Sequence, residues 1–134
     1  MKTVSKNIYV TFRIAGKHAW GNIEKEAPSH VFEYSDFLKD QHRHLFYFKI
    51  TIPVNDLNRE LEFFYISEKI QSLLFACFDR YKYFNMILFG NRSCEMIAEE
   101  FAAYLAANSI YVSEIEVSED NENGAILKFE HENS

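Results

Sequence analysis

The stretch QHRHLFYF, residues 41–48, places His42 and His44 two apart at the head of an apolar run. A further histidine, His18, follows an earlier apolar alternation. Neutral imidazole nitrogens are good ligands for zinc, and three of them with one open position make a catalytic type of site. The plainer reading is that His42 and His44 are polar residues that happen to begin a strand and hydrogen-bond within the protein. Which reading holds depends on whether the chain brings the three rings together.

Residues 8–14 alternate: Ile8, Val10, Phe12 and Ile14 share one parity, and Tyr9, Thr11 and Arg13 the other. Period two predicts a half-buried strand. Gly16, Lys17 and His18 close it, and His18 keeps the parity of the apolar set. Residues 42–54 read as a second strand. His42, His44, Phe46, Phe48, Ile50 and Ile52 fall on one face, and Arg43, Leu45, Tyr47, Lys49 and Thr51 on the other. Pro53 and Asn55-Asp56 end it. If the two strands pair antiparallel, the end of one lies beside the start of the other. His18, His42 and His44 then converge at one end of the sheet, on its apolar face.

The remaining elements must build the scaffold. Residues 21–41 read as a long connection. Val31, Phe32, Tyr34, Phe37 and Leu38 should pack it down, and its length is that of a functional loop. Across residues 59–78 the period changes, with Ile66, Ile70, Leu73, Leu74 and Cys77 on one helical face. Residues 79–92 read as an aromatic connection ending at Gly90-Asn91. Ser93 can cap a second helix with Glu95 in its first turn and an apolar face of Ile97, Phe101, Tyr104 and Leu105. Asn108 ends it. Residues 110–119 alternate again, the run EDNENG is turn chemistry with Gly124 free to take positive φ, and residues 125–129 form the last strand. His30 and His131 fall in loop or tail segments and read as surface residues. The order is β-β-α-α-β-β.

Composition narrows the classes. The 134 residues are 48% apolar, which makes one domain over 1–134, with a core over 8–130 and a solvated tail at 131–134. The net charge of −6 and the absence of a basic stripe argue against nucleic acid. No apolar run approaches the ~18 residues of a membrane span, and the opening residues hold no signal-like apolar region, so neither membrane nor export is expected. Cys77 and Cys94 are too few and too far apart for a zinc ribbon or a disulfide scaffold, which suits two reduced thiols in a cytoplasmic protein.

These motifs, in this order, resemble the 6-pyruvoyl/6-carboxy-tetrahydropterin synthase family, the tunnelling fold. The resemblance covers residues 8–130. It rests on a first strand ending in His18, the pair His42-Arg43-His44 opening the second strand, and Glu62-Phe63 before the first helix. Ser93-Cys94-Glu95 at the second helix and Glu119 before a turn and Gly124 complete it. The resemblance implies an α+β fold: a four-stranded antiparallel sheet with two helices on one face. It implies zinc on His18, His42 and His44, and Glu119 as the anchor of a pterin-like or purine-like ring, whose N–H beside NH₂ a carboxylate can receive. It also implies a homo-oligomer, trimeric or hexameric, in which open sheet edges find partners.

Departures from the family pattern matter as much. The family carries a cysteine shortly before the His-x-His pair, as a proton-transfer base; residues 31–41 contain none. Asp36 or Asp40 could stand in as a carboxylate base. Where the family has Leu-Asp-His after the first helix, this chain has Phe78-Asp79-Arg80, and arginine stays protonated and cannot act as a base. Arg43 replaces a glycine, on the face away from the histidines. Three functions remain open. One is a zinc-dependent synthase-like enzyme acting on a pterin or 7-deazaguanine precursor, with Asp36, Asp40 or Asp79 moving the proton. Another is a non-catalytic sponge or regulator for such a ligand. The last is an assembly module with a degenerate site.

Overall fold

The computed structural model describes residues 1–82 and 85–130. The alternating segment forms strand β1, Asn7–His18, longer than its clearest alternation. The connection that follows is not a loop but two short helices, α1 (Ile23–Glu26) and α2 (Ser29–Ser35), and a 3-10 turn, Asp36–Lys39. Ile23 is buried, and Trp20 N–H donates to the Leu38 carbonyl at 2.6 Å, so the segment is pinned at both ends. Its aromatics divide: Val31, Phe32 and Leu38 are half-buried, whereas Tyr34 and Phe37 are exposed, against the sequence expectation. His30 is exposed on α2, as expected, and His131 lies outside the described residues.

Strand β2, His42–Pro53, pairs antiparallel with β1 along its whole length, from Asn7 opposite Pro53 to His18 opposite His42. Helix α3, Phe63–Cys77, starts at the Glu62 cap, whose carboxylate accepts from the Phe64 and Tyr65 amides. Helix α4, Cys94–Ala107, starts at the Ser93 cap, whose hydroxyl accepts from Met96 N–H. Strands β5 (Glu114–Glu119) and β6 (Asn123–Lys128) form the final hairpin.

The sheet departs from the four-stranded antiparallel expectation. It has six strands in the order β3-β4-β1-β2-β5-β6, where β3 is Asp79–Arg80 and β4 is Met86–Gly90. Strand β4 runs parallel to β1, so the sheet is mixed. The run MILFG carries no alternation because four of its residues are apolar and it is covered on both sides, which hides a strand from period-based reading. Helices α3 and α4 meet one face, where Ile66, Ile70, Leu74, Ile97, Phe101 and Leu105 pack on Phe46, Phe48, Ile50, Ile115 and Val117. Residues 110–113 precede β5 instead of extending it, because Ser109 takes φ +63 at the end of α4 and Ile110 N–H bonds back to Leu105. No helix among the described residues is long and apolar enough to cross a membrane.

Candidate metal centre

The ladder between β1 and β2 sets His18 directly opposite His42 and Gly16 opposite His44. All three rings share the face of Phe46, as the parity argument requires. Their centroids lie 4.6, 5.3 and 4.9 Å apart, and one ring nitrogen from each falls within 4.8 Å of the others. Phe46 forms the floor, edge-on to His18 and His44. Gly16 makes room for that floor: a Cβ there would lie 2.7 Å from the Phe89 ring and 2.8 Å from that of Phe46. A side chain at this position would push the floor into the histidines.

Each ring is held by its Nδ1. His18 Nδ1 lies 2.9 Å from the Arg92 carbonyl, and His42 Nδ1 2.9 Å from the Asp40 carbonyl. A carbonyl only accepts, so both nitrogens carry the proton and both lone pairs sit on Nε2. His44 Nδ1 lies 2.7 Å from Asp120 Oδ2, the carboxylate–histidine arrangement that orients metal ligands. The Nε2 atoms of His18, His42 and His44 are all buried and without a hydrogen-bond partner. One orphaned buried polar atom costs about 1–3 kcal/mol, so three converging ones need a common explanation. A divalent cation would supply it. These residues therefore fit zinc by tautomer, by convergence and by the outer partners of the rings.

Those outer partners come from segments that the sequence reads as connections and turns. The Arg92 carbonyl is fixed because the Arg92 guanidinium clasps Glu100 through two nitrogens and the Phe89 carbonyl at 3.0 Å. Asp120 sits in the β5–β6 turn, where Glu122 N–H bonds to the Glu119 carbonyl and Asp120 and Asn121 take φ +53 and +57. Asp and Asn tolerate this left-handed backbone, which suits a type I′ turn. Gly124 does not take the positive φ expected of it. It is needed for space, since a Cβ there would lie 2.4 Å from the Val117 carbonyl. The turn is stitched to β2 by Asp120 N–H to the Leu45 carbonyl at 2.7 Å and Leu45 N–H to Asp120 Oδ1 at 2.9 Å. That amide, and then His44, hold the Asp120 carboxyl below its usual range.

Glu119 ends β5 opposite Phe46, which turns its side chain to the histidine face. Its Oε1 lies 3.0 Å from His18 Nε2 and its Oε2 3.6 Å from His44 Nε2. The first contact is close but does not meet hydrogen-bond geometry, so Nε2 stays unsatisfied, and the contact would be an ion pair only if His18 took a second proton. His18 foremost, against the opposing cost of burial, and then the charge of the other two rings hold the Glu119 carboxyl low. Burial alone would lower the His18 pKa; Glu119 and the Arg92 carbonyl outweigh it and raise it. Cys94, in the first turn of α4, points its sulfur at Glu119 Oε1 from 3.9 Å. Burial first, then the Glu119 and Glu95 charges, push that thiol up to about 12, so it stays protonated and meets the carboxylate as a weak donor.

The aspartates named from sequence take other positions. Asp36 is exposed in the 3-10 turn and Asp79 is exposed on β3. Asp40 is exposed too, and reaches the site through its backbone carbonyl. Among the described residues, none of the three forms an ion pair with a histidine. Arg80 lies 4.4 Å over the Phe75 ring and donates to Asn85 Oδ1 at 3.0 Å.

With this geometry in place, solved structures supply the comparison. The Caenorhabditis elegans 6-pyruvoyl tetrahydropterin synthase matches over 97% of this chain and 99% of its own, with a TM-score of 0.65 and 12% identity. The fold is that of a tetrahydropterin synthase. An uncharacterized protein from Wolinella succinogenes matches over 96% of this chain and 100% of its own, with a TM-score of 0.58 and 12% identity. No protein-family model and no curated protein matches the sequence. At such identity the likeness to the synthase is one of fold, and the histidine cluster is this chain's own evidence for a metal.

Proposed function

We propose that the chain is a diverged tetrahydropterin synthase-like zinc protein, acting on a pterin or 7-deazaguanine-precursor-like small molecule in the cytoplasm. The observation that carries the proposal is the convergence of three buried, unpartnered Nε2 atoms whose Nδ1 partners are already in place. His18, His42 and His44 would hold the ion, and zinc there supplies Lewis-acid polarisation of a ligand oxygen. The Arg92 and Asp40 carbonyls and the Asp120 carboxylate keep each ring in its ligating tautomer. The Glu119 carboxylate would receive the N–H and NH₂ edge of the ring, with Cys94 as a neutral donor behind it. Asp36, Asp40 and Asp79 are the carboxylates offered for moving the proton. The edge strands β3 and β6 leave unpaired backbone, which supports a homo-oligomer, trimeric or hexameric.

A second reading has its own observation. Arg80 stands where a basic histidine would be needed, and its guanidinium is spent on Phe75 and Asn85. That favours a protein which binds a pterin-like or purine-like ligand without turning it over. The test is to incubate zinc-loaded protein with a dihydroneopterin-type substrate, following both binding and product. Turnover that disappears in His42→Ala supports the enzyme. Saturable binding with no product supports the binder. Neither binding nor product from zinc-loaded protein contradicts both.

A further inference from the structure

Glu119 lies closer to the histidines than a ring anchor needs to. Zinc bonds of about 2.0–2.2 Å to nitrogen and oxygen place neighbouring ligands of a tetrahedron about 3.3 Å apart. Glu119 Oε1 stands 3.0 Å from His18 Nε2, and Oε2 stands 3.6 Å from His44 Nε2, bracketing that spacing. The carboxylate is delivered there by strand register: Glu119 is opposite Phe46 in the ladder, next to the turn whose Asp120 already orients His44. At 3.0 Å its approach to His18 does not meet hydrogen-bond geometry, so donation from one group to the other does not account for the contact. The side chain remains partly open to solvent, so it has room to leave.

We infer that Glu119 is the fourth protein ligand of the metal when no small molecule is bound. This rests on the metal reading above. The resting centre would then be held by His18, His42, His44 and Glu119, with the carboxylate where a fourth ligand would bind. A ligand reaches the metal by drawing the carboxylate away, and an N–H beside an NH₂ is the edge suited to take it. Ring recognition and opening of the metal become one event, carried by one side chain. An oxygen ligand lacking that edge finds the metal closed.

Cobalt(II) is the probe, since its visible spectrum reports the coordination shell, and azide is a small anion that binds any open position. The cobalt-loaded wild type is expected to keep its spectrum when azide is added at millimolar concentration. Glu119→Ala is expected to bind cobalt at least about tenfold more weakly and to change its spectrum on adding azide. Glu119→Gln, nearly the same size, carries the same test should the alanine variant fail to fold. A wild type that takes azide as readily as the variants overturns the inference while leaving the metal reading intact. Equal cobalt affinity and spectrum in wild type and variants does the same. A wild type that binds neither cobalt nor zinc overturns the metal reading and this inference with it.

Discussion

The two ends of the β1–β2 ladder offer opposite kinds of site. At the end where Asn7 pairs with Pro53 there is a cavity of about 490 Å³ lined by Lys6, Asp56, Arg59, Glu60 and Glu62. It has volume and charge, but several of its polar groups are spoken for. Glu60 accepts from the Asn55 and Asp56 amides, Glu62 caps α3, and Lys6 donates to the Asn55 carbonyl. At the end where His18 pairs with His42 three ring nitrogens are buried and unmatched. The lesson is that volume alone does not mark chemistry. A cavity whose walls bond to their own loop is architecture, whereas polar atoms held in place and left unsatisfied ask for a ligand.

That contrast breaks most sharply at His42. His42→Ala removes a ligand atom without touching the far end. Zinc affinity should fall by more than the ~10–100-fold typical of outer-shell losses, as read by competition with a chelating dye. Retention of wild-type affinity would erase the distinction between the two ends. Asp120→Ala comes next. It leaves the three Nε2 atoms but frees the His44 ring, so the same competition should show a fall of about 10–100-fold.

Gly124→Ala tests whether the turn matters as a unit. The added methyl meets the Val117 carbonyl and Ser118, so unfolding in urea should show a loss of about 1–3 kcal/mol, with weaker zinc binding as Glu119 and Asp120 shift. The smallest effect belongs to the far end. Glu62→Gln should leave zinc affinity unchanged and lower the melting temperature slightly. The Phe64 and Tyr65 amides hold the Glu62 carboxyl below its ordinary value of 4.5. A depressed carboxyl stabilises above that value and loses its contribution as pH falls through the depressed pKa. The difference from wild type should therefore be present at neutral pH and vanish in strong acid. A difference that grows in acid would contradict the cap.

Much of the histidine cluster was legible because it is written in parity. Two alternating strands and an antiparallel pairing suffice to bring His18, His42 and His44 together, and the register does so. The helices were legible by period and by the Ser93 cap. Strand β4 was not, because MILFG is short, four of its residues are apolar and it pairs in parallel with β1, so no alternation announces it. Helices α1 and α2 hid behind Gly21 and Pro28 and behind charged residues. The outer partners of the rings were the hardest to see. Two of the three are backbone carbonyls, at Arg92 and Asp40, which any residue type provides. The third, Asp120, sits in an acidic turn that reads as solvated. Its signal was adjacency to Glu119, which only gains meaning once β5 is known to pair with β2.

Whether the three histidines form a metal site is decided by metal content. The measurement is elemental mass spectrometry of the untagged purified protein, with His42→Ala prepared beside it. Near-stoichiometric zinc is expected in the wild type, with its loss in the variant. A wild type that stays free of metal, even after zinc is supplied and the excess removed, would contradict the metal reading.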